Sequence, residues 1–177
     1  MTDDGSPNAS SASVSSAVTI IAVNDAPILD NTSDLTLTSI ISNTTNPTGN
    51  TVASILSSAG TTPITDPDAG ALIGIAVIDD CVEAPCSGTW QYFLSGGVIW
   101  NDFPSNVAAN RAVLLGLNDR LRFVPNTNFT GSRSIQFRAW DRTSGSSGNT
   151  NVDTTSNGGA TAFSTATETA VITVTLN

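Results

Sequence analysis

Oxygen donors able to hold a hard cation fall in four short stretches of this chain. Asn24 and Asp25 are adjacent, Asp66 and Asp68 flank a proline, Asp79 and Asp80 follow an apolar run, and Asp141 ends another. Calcium takes six to eight oxygens from carboxylates, carboxamides and backbone carbonyls. Asn24, Asp25, Asp66, Asp68 and Asp141 therefore make a candidate calcium set, with Asp79 and Asp80 as further acids. The competing reading is that Asp66-Pro67-Asp68-Ala69-Gly70 is a turn whose carboxylates cap backbone amides. Other chemistry is narrower. There is no His, which removes a Ser-His-Asp triad, a histidine base and a histidine zinc ligand. There is no Lys, which removes Schiff-base chemistry and any Lys–Asn isopeptide cross-link. Asp79 or Asp80 with Asp141 could be a glycosidase pair, but nothing in their spacing prefers that to turn acids. No catalytic residue is assigned, and the chain is read as a non-enzyme.

Four aromatic residues, Trp90, Tyr92, Trp100 and Trp140, make a candidate stacking surface for cell-surface glycans. Trp140 is out of phase with Ile135, Phe137 and Ala139, which places it on an outer face, in a second buried layer, or at a subunit contact. Cys81 and Cys86 enclose Val82-Glu83-Ala84-Pro85. Four intervening residues with a proline suit a small disulfide loop, which favours an oxidising compartment; the alternative is two free thiols. Asn8, Asn31, Asn43 and Asn128 each open a glycosylation sequon, which permits modification without showing it.

Charge and composition exclude whole classes. Only 12% of the 177 residues are charged, against about 25% in an ordinary soluble protein, and the net charge is −9. A nucleic-acid partner needs a basic footprint, which is absent. No apolar run approaches the roughly 18 residues of a membrane-spanning helix. Polarity comes instead from 25 Thr, 22 Ser, 16 Asn and 14 Gly, a balance associated with the outside of a cell. The opening residues lack the basic patch and apolar core of a signal peptide, so export would require a signal removed or carried on a longer precursor.

These side chains must be positioned mainly by strands, because period-2 alternation dominates. The clearest strand is 165–176, with Ala170, Ile172 and Val174 on one face and Thr169, Thr173 and Thr175 on the other. Further strands are expected at 134–140, 120–124, 35–41, 51–56, 72–78, 89–94 and 98–100, with one helical turn at 112–115. Many short strands separated by Gly, Asn and Pro predict an all-β antiparallel sandwich. The polar loop at 141–161 is long enough to be functional, mobile or ion-ordered.

Residues 16–24 echo 169–177: Ala17, Val18 and Asn24 match Ala170, Val171 and Asn177 at a spacing of 153. The organisation that follows is an arm at 1–27, with an extension strand and an Asn24-Asp25-Ala26-Pro27 junction, and a sandwich at 28–177. An apolar strand with open edges is an aggregation hazard. It has three fates: a place in its own sheet, packing on an upstream repeat, or insertion into another copy. In the last case Ala17, Thr19, Ile21 and Val23, or the opposite face Val18, Ile20 and Ala22, would fill a neighbour's groove. Such a head-to-tail contact builds a homopolymer.

Val23-Asn24-Asp25-Ala26-Pro27 resembles the linker of cadherin-like and Ig-like tandem repeats in large bacterial surface adhesins. Ile64-Thr65-Asp66-Pro67-Asp68-Ala69-Gly70 resembles their acidic turn. Gly88-Thr89-Trp90-Gln91-Tyr92, the run from Asp119 to Asn126, Asn128-Phe129-Thr130-Gly131 and Phe137-Arg138-Ala139-Trp140-Asp141 are similar to the middle of one long subtype. The likeness runs from about residue 17 to the end. It implies an extracellular, bacterial-surface Ig-like/cadherin-like β-sandwich with adhesive or structural work and often bound calcium. The cysteine loop and the apolar stretch 93–100 depart from the pattern. So does a single unit where many usually follow one another, which is similar in logic to a donor-strand pilus subunit. The alternatives are a calcium-stiffened spacer repeat and a carbohydrate-binding module.

Overall fold

The computed structural model describes residues 15–17, 19, 22–32 and 34–177. The elements run β1 (Ile28–Leu29), β2 (Leu35–Thr36), β3 (Ile40–Ile41), β4 (Asn50–Thr51), α1 (Val52–Leu56), β5 (Ile64–Thr65) and β6 (Gly74–Asp79). They continue β7 (Gly88–Phe93), β8 (Asn101–Asp102), β9 (Val113–Gly116), β10 (Arg120–Pro125), β11 (Gly131–Trp140) and β12 (Glu168–Thr175). The fold is an all-β sandwich. One sheet has the order β2-β12-β11-β6-β9, with β3 also on β12; the other has β4-β10-β7-β8; β1 and β5 form a small ribbon. Pairing is antiparallel except where β2 and β3 lie parallel to β12.

Alternation drives the closure. Ile75, Val77, Val113, Leu115, Ile135, Phe137, Ala170, Ile172 and Val174 from the first sheet meet Trp90, Tyr92, Leu121 and Phe123 from the second in one core. Burying each large side chain contributes about 1.5–3 kcal/mol.

The first sheet also carries a second apolar layer on its other face. Ala76, Ile78, Ala112, Leu114, Trp140, Ala162 and Phe163 pack together there, with Val152 against them. The long polar loop forms its cover. Leu114 N donates to Asn149 O at 3.0 Å, and Ala112 and Val152 exchange bonds at 2.8 and 3.1 Å. The outer edge of β9 is thereby paired by loop backbone. Trp140 is fully buried, its Nε1 donating to Ser144 O at 2.8 Å.

Several expected elements differ. Of the stretch 51–56, only Thr51 is in a strand, the end of β4, and Val52–Leu56 make helix α1 instead. Thr51 caps it by accepting from Ser54 N, and Val52, Ile55 and Leu56 bury one helical face. The helical turn expected at 112–115 is strand β9, whose unbroken apolar run reflects burial on both faces. The strand expected at 98–100 is absent: Val98 and Ile99 project into solvent and β8 starts at Asn101. The stretch 35–41 is two short strands, broken where Thr38 N turns to Asn50 Oδ1. The extension strand expected at 14–23 falls partly outside the described residues (Val14, Val18, Ile20 and Ile21). Its described residues, 15–17, 19, 22 and 23, carry no strand and are exposed.

Candidate functional site

The two ends of the sandwich differ, and β11 measures the distance between them. Ten extended residues span about 30 Å. Trp140 lies opposite Gly74, and Gly74 opposite Gly116, at one pole; Gly131 lies opposite Val174 at the other. The amino-terminal junction docks at the Trp140 pole. Ala26 N donates to Gly159 O at 2.7 Å. Asn24 Nδ2 donates to Asp141 Oδ2 at 2.8 Å and to Thr161 O at 3.1 Å. Asp25 N donates to Asp68 Oδ2 at 2.8 Å. Strand β12 runs the other way and delivers Leu176, 79% exposed, to the Gly131 pole.

All five residues of the calcium set thus meet at one pole, as a hydrogen-bonded clasp. Asp68 N donates to Asp66 Oδ1, and Thr143 N to Asp141 Oδ1, each at 2.8 Å. Asp66 Oδ2 is buried without a partner. Among the described residues, no three acidic side chains stand close enough together to hold a metal ion. Asp79 and Asp80 stand away from the clasp, Asp79 pairing with Gln136 midway along β11. Burial, reinforced by the neighbouring Asp79 charge, raises the Asp80 carboxyl above its ordinary value, although a backbone hydrogen bond opposes this. Asp79 Oδ1 accepts from Cys81 N at 2.8 Å and starts the disulfide loop.

Cys81 and Cys86 are disulfide-bonded. Their loop is pinned to β11 through Glu83, whose carboxylate accepts from Ser134 N at 2.9 Å and from the Ser134 hydroxyl. Arg133 Nη2 donates to Ser87 Oγ at 2.6 Å. Of the sequon residues, Asn8 lies outside the described residues. Asn31 is exposed, and Asn43 and Asn128 face each other, with Asn128 N donating to Asn43 Oδ1 at 2.8 Å.

The aromatic stacking surface is corrected. Trp90, Tyr92 and Trp140 are buried because alternation turns the first two into the main core and the loop covers the third. Trp100 alone of the four is partly open, lying 5.5 Å from the Phe93 ring and beneath the Arg122 guanidinium at 4.2 Å.

No family model, curated protein or solved structure matches this chain. The site must therefore be read from its own geometry. Beyond the expected residues, the sandwich has an apolar cleft of about 590 Å³ between the edges of its two sheets. Leu37, Phe123 and Ile172, all core residues, line it with Ile40 and Ile41. The sequence signal for it was indirect: a strand-like run at 35–41 that is too irregular to finish a sheet.

Proposed function

We propose that this chain is a structural subunit of an extracellular fibre or adhesin of the bacterial surface, assembled head to tail when the arm of one copy completes a sheet of another. The observation that carries this reading is the opposition of the two ends. The arm departs at the Trp140 pole, beyond a junction fixed by Asn24, Asp25 and Ala26, while β12 finishes at the Gly131 pole. Of the arm's described residues, Ala17, Thr19, Ala22 and Val23 are exposed, Val23 at 69%, and belong to no sheet of their own chain. An apolar, strand-patterned segment left in that position gains backbone bonds and burial by adding to a partner's sheet. The disulfide suits an oxidising compartment. Removing residues 1–23 while keeping the Asn24 clasp should leave a folded monomer that forms no filaments by electron microscopy. Filaments from that truncated chain would refute the reading.

A second reading, a calcium-stiffened spacer, is favoured by the unpartnered Asp66 Oδ2 beside the Asp68–Asp25 contact. Chelation should then lower the Tm, and an unchanged Tm would remove it.

A further inference from the structure

Resting on the strand-addition reading, we infer that the receiving site is the cleft between the β3/β12 edge and the β4/β10 edge, and that its occupant is residues 17–23 of a second copy. Both edges are unfinished there. Strand β10 pairs with β7 over all six residues, 120–125, but with β4 only at Arg120 and Leu121. Residues 46–49 run beside the same edge without extending the ladder. Their polar groups turn to side chains instead: Thr48 O and Gly49 O accept from Arg120 Nη2 at 3.1 and 2.8 Å, and Asn46 Oδ1 accepts from Arg122 Nη1 at 2.6 Å. Across the cleft, β12 pairs with β2 at Ala170 and Val171 and with β3 at Val174 and Thr175, which leaves a gap at Ile172 and Thr173.

The floor between these edges is the sandwich core itself. Phe123 and Ile172 are at most 2% exposed, whereas Ile41 at the rim is 47% exposed. A strand with an apolar residue at every second position fits such a floor, because alternate side chains point inward while its backbone serves the open edge. The arm has that pattern, and its Ala17 and Val18 match Ala170 and Val171 of β12, the strand that already lines the cleft through Ile172. Polarity agrees. The cleft lies toward the Gly131 pole, since Ile172 pairs with Arg133, whereas the arm leaves from the other pole. A contact joining opposite poles repeats without closing on itself.

The test uses full-length chains carrying two different tags, one with Thr19→Cys and the other with Ser39→Cys or Thr48→Cys at the cleft rim. Oxidation should join the two tags into one covalent dimer, read on a non-reducing gel. Ile41→Arg, at an exposed position, should cut filament yield at least tenfold without changing the Tm. Cross-linking within a single Thr19→Cys/Ser39→Cys chain would overturn the proposal by showing that the arm folds back. Filaments that form without this cross-link and withstand Ile41→Arg would place the strand elsewhere, overturning the cleft but sparing strand addition. Filaments that survive removal of residues 1–23 would overturn both. Chains that stay monomeric, with no cross-link under any condition, would do the same.

Discussion

Arg122 ties the β10–β7 ladder to segments outside any strand. Its Nε donates to Gln91 Oε1 at 2.7 Å, its Nη1 to Asn46 Oδ1 and Pro47 O, and its planar group covers Trp100. Hydrogen bonds from a charged donor contribute about 1.5–3 kcal/mol. Arg122→Ala should therefore lower stability by about 2–3 kcal/mol in urea unfolding. Arg122→Lys should recover less than half of that loss, because an ammonium lacks the planar fork. Trp140→Ala removes the largest side chain of the second layer and should cost about 3–5 kcal/mol. Asp80 has the opposite sign. Its raised carboxyl pKa means that the folded chain holds the proton more tightly than the unfolded chain. The stability it contributes is present below the ordinary value of 3.8 and is lost as pH rises through the raised one. Asp80→Asn should thus raise the Tm at pH 7, with the gain vanishing below about pH 4. Asp30 and Asp153, held below the ordinary range by Thr32 and Thr155, contribute the reverse: support above that range, lost on acidification.

The Cys81–Cys86 loop shows how elements of different kinds were legible. Its closure followed from spacing and a proline, but its anchor, Glu83 on Ser134, did not, because the two residues are 51 positions apart. Replacing both cysteines by Ser should cost about 2 kcal/mol and speed amide exchange at Ser134, read by hydrogen–deuterium exchange. Long alternating strands such as β11 and β12 were readable because one buried face imposes period 2. The unbroken run in β9 was not, since burial on both faces erases that period and leaves helix and strand alike. Helix α1 was missed because five residues give barely one turn of pattern. The acids of the clasp were recognisable as a set, because proline and glycine mark their turns. The cleft was not, since it is defined by bonds that β4, β2 and β3 fail to make.

At the scale of the molecule, the junction and the end of β12 face away from each other along the strands. Tension applied between the Asn24 junction and Leu176 would therefore load β12 lengthwise against β11 and the short parallel β2 and β3. Bonds across an antiparallel pair stand perpendicular to the strands, so tension along them strains seven register pairs from Gly131–Val174 to Phe137–Glu168 together instead of one by one. A sheet loaded in this way yields late and all at once. Optical-tweezer traces of tandem copies should show single abrupt rips in place of gradual lengthening.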